Sequence, residues 1–269
     1  MTISAFDIAI LGAGPVGRVL ALMLARVAPD PARIALLAGA SPAPVTPAAA
    51  IPVADPRVLA MNHGSRVLLE SLNAWPAKAA DILNIHVSQR GRLGRSVIQH
   101  TDFDVPQLGC VVAYSALHAK LEERVAASGV TLLSGPPAQI DGQDGDGVRI
   151  SQGDTALSCR IAVQSDGAGA SDLRRDYGQH ALLTTVHATL PRRGWAWERF
   201  TAEGPLALLP HPQLPDAYSV VWCSAPARAA ELAALDNAAF SQALSAAFGD
   251  RLGRLSCQAP RHVLSLIHI

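Results

Sequence analysis

Aromatic side chains are scarce in this sequence: four Trp, three Tyr and five Phe amount to 4% of 269 residues. So few rings leave little with which to stack nucleic-acid bases. Charge is thin as well. Charged residues make up 16%, and 22 Lys and Arg balance 22 Asp and Glu, so no long-range field draws the chain to DNA or to an anionic bilayer. A neutral or apolar small molecule fits that balance better. The four cysteines, Cys110, Cys159, Cys223 and Cys257, form no C-x-x-C pair and have no histidine at metal-ligand spacing. That argues against a disulfide framework or a zinc site and for a reducing, cytoplasmic compartment. No basic segment precedes the apolar run 8–25, and Gly12, Gly14, Pro15, Gly17 and Arg18 interrupt it, so it reads as neither signal peptide nor membrane span.

What the sequence has in quantity is apolar residues, at 49%, enough for one large domain or two small ones. A buried run, Asp7 to Leu11, breaks at Gly12. An alanine- and leucine-rich helical stretch, Pro15 to Val27, and a second apolar run, Arg33 to Leu37, follow. This is the pattern of a βαβ unit with both sheet faces covered. The stretch from Ala38 to Pro56 has no period and is expected as a long loop, Val58 to Leu72 as a helix, and Ile85 to Ser88 as a strand. Leu117, Leu121 and Val125 mark one face of a helix over 114–127, and Asp141 to Gly147 predicts a hairpin turn before strands at 148–150 and 156–163. Beyond Tyr177, extended runs at 182–190, 195–200, 206–209 and 218–223 predict a second, largely antiparallel layer. Helices at 226–235 and 237–248 follow it.

Gly12-Ala13-Gly14-Pro15-Val16-Gly17 is a G-x-G-x-x-G between a buried strand and a helix. In a dinucleotide site the first glycine makes the tight turn, the second lets backbone approach a pyrophosphate, and the third lets helix and strand pack closely. The helix amides and dipole then hold the anion. The competing explanation is three glycines used for packing alone. One expected element is missing: Ala38 or Gly39 stands where an acidic residue would bond the adenosine ribose, and Asp55, the nearest carboxylate downstream, is too far along the loop to be assigned to that role from sequence, which leaves backbone, water or another residue.

These residues, together with Asp55-Pro56-Arg57-Val58-Leu59-Ala60-Met61, Ile85-His86-Val87-Ser88 with Gly91 and Gly94, Leu108-Gly109-Cys110-Val111-Val112, Ser165-Asp166-Gly167-Ala168, Phe200-Thr201 and Gly204-Pro205-Leu206-Ala207-Leu208-Leu209-Pro210, make the chain resemble the 2-polyprenyl-6-methoxyphenol hydroxylase family. The resemblance runs over most of the chain in one order. It implies a p-hydroxybenzoate-hydroxylase-like α/β fold, with a discontinuous Rossmann-like FAD domain (1–75 and 95–176) against a β-sheet substrate domain (76–94 and 177–262). It also implies FAD as cofactor, NAD(P)H as co-substrate, and a polyprenyl phenol that is hydroxylated with O₂ in ubiquinone biosynthesis. Gly12, Gly14, Pro15 and Gly17 would hold the FAD pyrophosphate. Arg57 would stand near the phosphates, where a guanidinium gives a multidentate contact that lysine does not. Asp166 and Gly167 would touch the flavin, and Arg174 is either a further nucleotide contact or a helix-surface charge; taken alone, Arg57 reads as a solvated loop cation and Asp166-Gly167 as an ordinary turn.

No general base stands out: His86, His187 and His211 are available, and each is also explained as structural. Trp195 to Trp197 and Leu206 to Leu209 suit an apolar pocket for a prenylated ring or a packed core. The family's third flavin segment, built on Gly-Asp, would lie beyond the equivalent of Arg261, and residues 263–269 match nothing expected there. The chain is therefore expected to be C-terminally truncated with a foreign tail, and to leave an apolar sheet face uncovered. Contact with the inner membrane or with a ubiquinone-biosynthesis complex follows from a long-tailed substrate. A reductase or saturase on the same fold, and a non-catalytic nucleotide-binding fragment, remain the alternative readings.

Overall fold

The computed structural model describes residues 4–39, 55–167 and 175–268. Most of the loop expected over 38–56, as well as Ala168 and Arg174, lie outside the described residues. The first half runs β1 (Ser4–Leu11), α1 (Pro15–Ala25), β2 (Ile34–Gly39), β3 (Val58–Asn62), α2 (His63–Ser71), β4 (Ala80–Ile82), β5 (Asn84–Gln89), β6 (Arg95–Gln99), β7 (Gly109–Ala113), α3 (Tyr114–Ala126) and β8 (Thr131–Gly135). The second runs β9 (Gln139–Asp144), β10 (Gly147–Gln152), β11 (Thr155–Gln164), β12 (Arg175–Ala188), β13 (Trp195–Phe200), β14 (Pro205–Pro210), β15 (Ala217–Ser224), α4 (Pro226–Ala234), α5 (Asn237–Phe248), β16 (Leu255–Cys257) and β17 (His262–His268).

The βαβ unit forms as its hydrophobic runs require. Strands β8, β2, β1 and β11 are parallel, in that order, and the antiparallel strands β10 and β9 extend the sheet beyond β11. One face of this sheet packs Ile10, Ile34 and Leu36 against α1 and α3 through Leu22, Leu117 and Leu121. The other face buries Leu11, Leu37, Ile150 and Leu157.

A second sheet runs β16-β12-β15-β14-β13-β5-β6, with β17 also on β12. One of its faces builds a separate core in which Trp197, Leu208, Val220 and Trp222 pack on Phe240, Leu244 and Phe248 of α5. Each such side chain contributes roughly 1.5–3 kcal/mol by leaving water. Trp197, Leu206 and Leu208 are thus core residues and not pocket walls. The opposite face turns toward a three-stranded sheet, β3-β7-β4, where Ala196 and Leu209 meet Ile82 and Val111.

The helix expected over 58–72 is corrected. Val58–Asn62 is a strand paired antiparallel with Gly109–Ala113, and the helix begins at His63, capped by Asn62, whose Oδ1 accepts from Ser65 N at 2.7 Å. Pairing with a segment about fifty residues on overrides the local helical preference. The foreign tail is expected over 263–269, and the described part of that stretch lies in β17 (His262–His268), with Val263 and Leu264 in register with Leu182 and Ala181.

Candidate functional site

The turn between β1 and α1 carries the fingerprint glycines, and each answers to a different constraint. A β-carbon on Gly12 would stand 2.6 Å from the Cα and N of Asp166, and its φ of +108° lies where side chains are strained. One on Gly17 would stand 2.0 Å from the Gly12 carbonyl oxygen. Among the described residues, one on Gly14 would meet nothing within 4 Å. Gly12 and Gly17 are therefore explained by packing, whereas Gly14 borders open space that packing leaves unused.

That space lies at the start of α1. Gly14 is the N-cap and Pro15 the first helical residue; no side chain caps the helix and its first turn holds no acid. The leading amides are left to a ligand or to water, and the dipole favours an anion. Arg18, one residue past the last glycine, is only 6% exposed. Its Nε donates to the Ala13 carbonyl at 2.6 Å, which ties the helix to the turn. One of its terminal nitrogens is buried without a hydrogen bond, 3.9 Å from Glu122. Sequence reasoning passed over Arg18, although a cation directly behind the third glycine was visible.

The Asp166-Gly167 segment docks on the same turn. Ser165 N donates to the Leu11 carbonyl at 2.8 Å, and Ser165 Oγ reaches the carbonyls of Leu11 and Gly12, both at 3.0 Å. Asp166 and Gly167 follow as an exposed turn at the end of β11, Gly167 at φ +66°. The two glycine-bearing turns, about 150 residues apart in sequence, thus form one edge of the parallel sheet, at the C-terminal ends of β1 and β11 where α/β sheets bind ligands.

Arg57 stands just before β3, and Tyr114 N at the start of α3 donates to its carbonyl at 3.0 Å. Its guanidinium grips Asp55 through Nε at 2.9 and 3.0 Å and through a terminal nitrogen at 2.5 Å, and it lies 3.9 Å over the Tyr114 ring. Hydrogen bonding from Arg57 holds the Asp55 carboxyl below the usual range. Asp55 is therefore Arg57's partner, and among the described residues no carboxylate ends β2, where Ala38 and Gly39 stand. The His118 imidazole on α3 is pushed down by burial and then by the charge of Arg18, with Arg57 adding to it. Both cations thus act on one stretch of α3.

Arg57 also lines a cavity of about 340 Å³ between the first half of the chain and the second sheet, with Ser115, Thr185, His211, Pro260 and His262. His211 borders a further cavity of about 490 Å³ with Arg192 and Arg193. Its Nδ1 accepts from the amides of Gln213 and Leu214, both at 3.2 Å, which leaves the proton on Nε2. His86 is 5% exposed, its ring 4.9 Å from that of Trp197 and tilted 42° to it in the sheet interior, and it lines neither cavity. His187 pairs with Asp216 at 3.1 Å on the surface.

The arrangement fits a dinucleotide. It offers helix amides without a side-chain cap, a glycine bordering unfilled space, a second turn against the first, and, lining a separate cavity, an arginine whose charge reaches the same α3 histidine as Arg18. Among the described residues, no group of His, Cys, Asp and Glu could hold a metal ion, and no helix is long and apolar enough to cross a membrane.

No model of a known protein family matches the sequence. Individual proteins do. The chain is 28% identical over 270 residues to the 3-demethoxyubiquinol 3-hydroxylase of Escherichia coli, covering 94% of this chain and 66% of that protein. It is 29% identical over 271 residues to the ubiquinone hydroxylase UbiL of Rhodospirillum rubrum, covering 95% and 60%. The chain therefore spans somewhat less than two thirds of the length of these relatives. Among solved structures, it superposes on PqsL, a probable FAD-dependent monooxygenase from Pseudomonas aeruginosa, with a TM-score of 0.69 at 16% identity, over 94% of this chain and 73% of that one. The α/β architecture, a Rossmann-like sheet facing a second β-sheet layer, is the one shared with FAD-dependent monooxygenases.

Proposed function

We propose, from the premise that this chain is a homologue of the flavin-dependent hydroxylases of ubiquinone biosynthesis, that it binds FAD at the Gly12–Gly17 turn and serves the ring hydroxylation of a polyprenylated phenol with NAD(P)H and O₂. The observation that carries this reading is Gly14, the one fingerprint glycine whose missing side chain nothing among the described residues explains. A pyrophosphate drawn to the first-turn amides of α1 would fill that space. Arg57, already oriented by Asp55 and Tyr114, would add a charged contact. Asp166 and Gly167, held by Ser165, would border the cofactor where β11 ends.

Bound FAD would supply the electrons that activate O₂ for transfer of one oxygen atom to an electron-rich ring. The chain's own part is to hold the cofactor, admit the ring against the second sheet, and keep water away. A long prenyl tail places the substrate in a bilayer, so the setting we infer is cytoplasmic and peripheral to the inner membrane.

The test is titration of the purified chain with FAD, followed by fluorescence quenching, and then NAD(P)H-driven turnover of a prenylated phenol under ¹⁸O₂. Saturable quenching and one labelled oxygen in the ring are expected. Folded protein that leaves FAD fluorescence unchanged overturns the reading.

A further inference from the structure

Glu198 is a partly buried carboxylate that the reading above does not use. On β13 it alternates with Trp197 and Arg199, which point to the helical face of the second sheet, where Trp197 joins the core and Arg199 Nε donates to the Ala247 carbonyl on α5 at 3.0 Å. Glu198 therefore belongs to the opposite face, which turns toward the nucleotide-binding half. Its register neighbours are Val87 on β5 and Ala207 on β14, and the row continues through Val221 and Leu183. Every other member of that row as far as β12 is apolar and partly exposed. Ala196 and Leu209, two residues along β13 and β14, seal the junction with the three-stranded sheet, so Glu198 stands one step beyond the seal.

The row leads to the site already described. Leu183 pairs with His262, and His262 lines the cavity that holds Arg57. Four strand spacings of about 4.8 Å separate Glu198 from His262, roughly 19 Å, enough for a ring and the first part of an attached chain.

Among the described residues Glu198 has no hydrogen bond and no ion pair. Burial alone pushes its carboxyl above the usual range, and its charge helps raise the thiol of Cys223, which lies on β15 two residues along from Val221. A carboxylate set in an apolar patch without a donor carries a desolvation penalty that a ligand donor would relieve. An aromatic ring bearing one hydroxyl suits both parts of the patch.

Resting on the proposed function, we propose that Glu198 is the residue that recognises the substrate's phenolic hydroxyl: its carboxylate accepts the O–H hydrogen bond while its strand neighbours Val87 and Ala207 border the ring and Val221 and Leu183, farther along the row, take the first part of the attached chain. Glu198 thereby selects free phenols over their ethers and fixes which ring edge faces the cofactor site.

The test uses 2-geranylphenol and its O-methyl ether as probes, with affinities measured by calorimetry on the FAD-loaded chain and its Glu198→Ala and Glu198→Gln variants. The wild-type chain is expected to prefer the phenol by about 10-fold or more, the range of a hydrogen bond to a charged group. Glu198→Ala should reduce the preference to within about 2-fold, and Glu198→Gln, a neutral acceptor of the same shape, should fall between them. Loss of packing alone would weaken both probes equally and leave the ratio unchanged. A wild-type chain without preference, or a ratio unmoved in Glu198→Ala, overturns the proposal. Failure to bind FAD at all instead removes the reading on which it rests.

Discussion

The backbone of Asp166 occupies the place where a side chain on Gly12 would go, with its Cα and N both 2.6 Å from an ideal β-carbon on that glycine. This contact fuses two turns from distant parts of the sequence into one edge and separates the fingerprint glycines by their consequences. Gly12→Ala and Gly17→Ala force backbone apart, and each should destabilise the fold by about 2–4 kcal/mol. Gly14→Ala meets open space at φ −70°, which any residue adopts, so its melting temperature should stay near wild type while FAD affinity falls at least about 10-fold. Thermal melts with flavin titrations on the three variants check this. Equal unfolding in all three would show that Gly14 serves packing after all.

Arg57 offers the complementary case. Its pair with Asp55 is 44% and 28% exposed on the two side chains, so screening keeps its share of stability small, under about 1 kcal/mol. Arg57→Ala should leave the melting temperature within roughly 3 °C while weakening FAD by about 10-fold. Arg57→Lys keeps the charge but loses the fork on Asp55 and the stack on Tyr114, and it should recover only part of the affinity. Flavin retention equal to wild type in both variants would remove Arg57 from the site.

The edge formed by β1 and α1 was legible because its signals are local: a hydrophobic run, glycines at fixed offsets, then a helix, all within thirty residues. The long strands after Tyr177 and the helix over 237–248 were readable for the same reason. What escaped depended on partners far along the chain. Val58–Asn62 becomes a strand only when Gly109–Ala113 lies beside it. Ser165 matters because it reaches the carbonyls of Leu11 and Gly12. Glu198 gains meaning from the face on which register places it, a fact that alternation along one strand cannot settle without knowing which face α5 covers.

Cysteine reactivity gives a test independent of flavin. All four thiols are free and buried, and burial pushes the Cys110 thiol up to about 11. At pH 8 the thiolate fraction of Cys110 is then of order one in a thousand. An alkylating reagent should label Cys110 only after denaturant is added, as read by peptide mass spectrometry. Rapid labelling of Cys110 in the native state would mean that the pairing of β7 with β3 and β4 opens readily.

His86 sets an acid limit on stability. Its imidazole is buried against Trp197 with Nε2 unpartnered, and burial, followed by the charge of Arg251, holds its proton affinity below the ordinary histidine value. The unfolded chain takes up a proton near pH 6.5 while the folded one does not, so the stabilisation is complete above that pH and is lost as the pH falls toward the lower folded value. Wild-type protein should therefore lose melting temperature between pH 7.5 and about 5.5. His86→Phe keeps an aromatic ring beside Trp197 and removes the titration, so its melting temperature should fall less over the same interval. His118 and His211, also held low by burial, remain in the variant and keep part of the slope. Identical slopes in the two proteins would place the acid sensitivity elsewhere than in the sheet core.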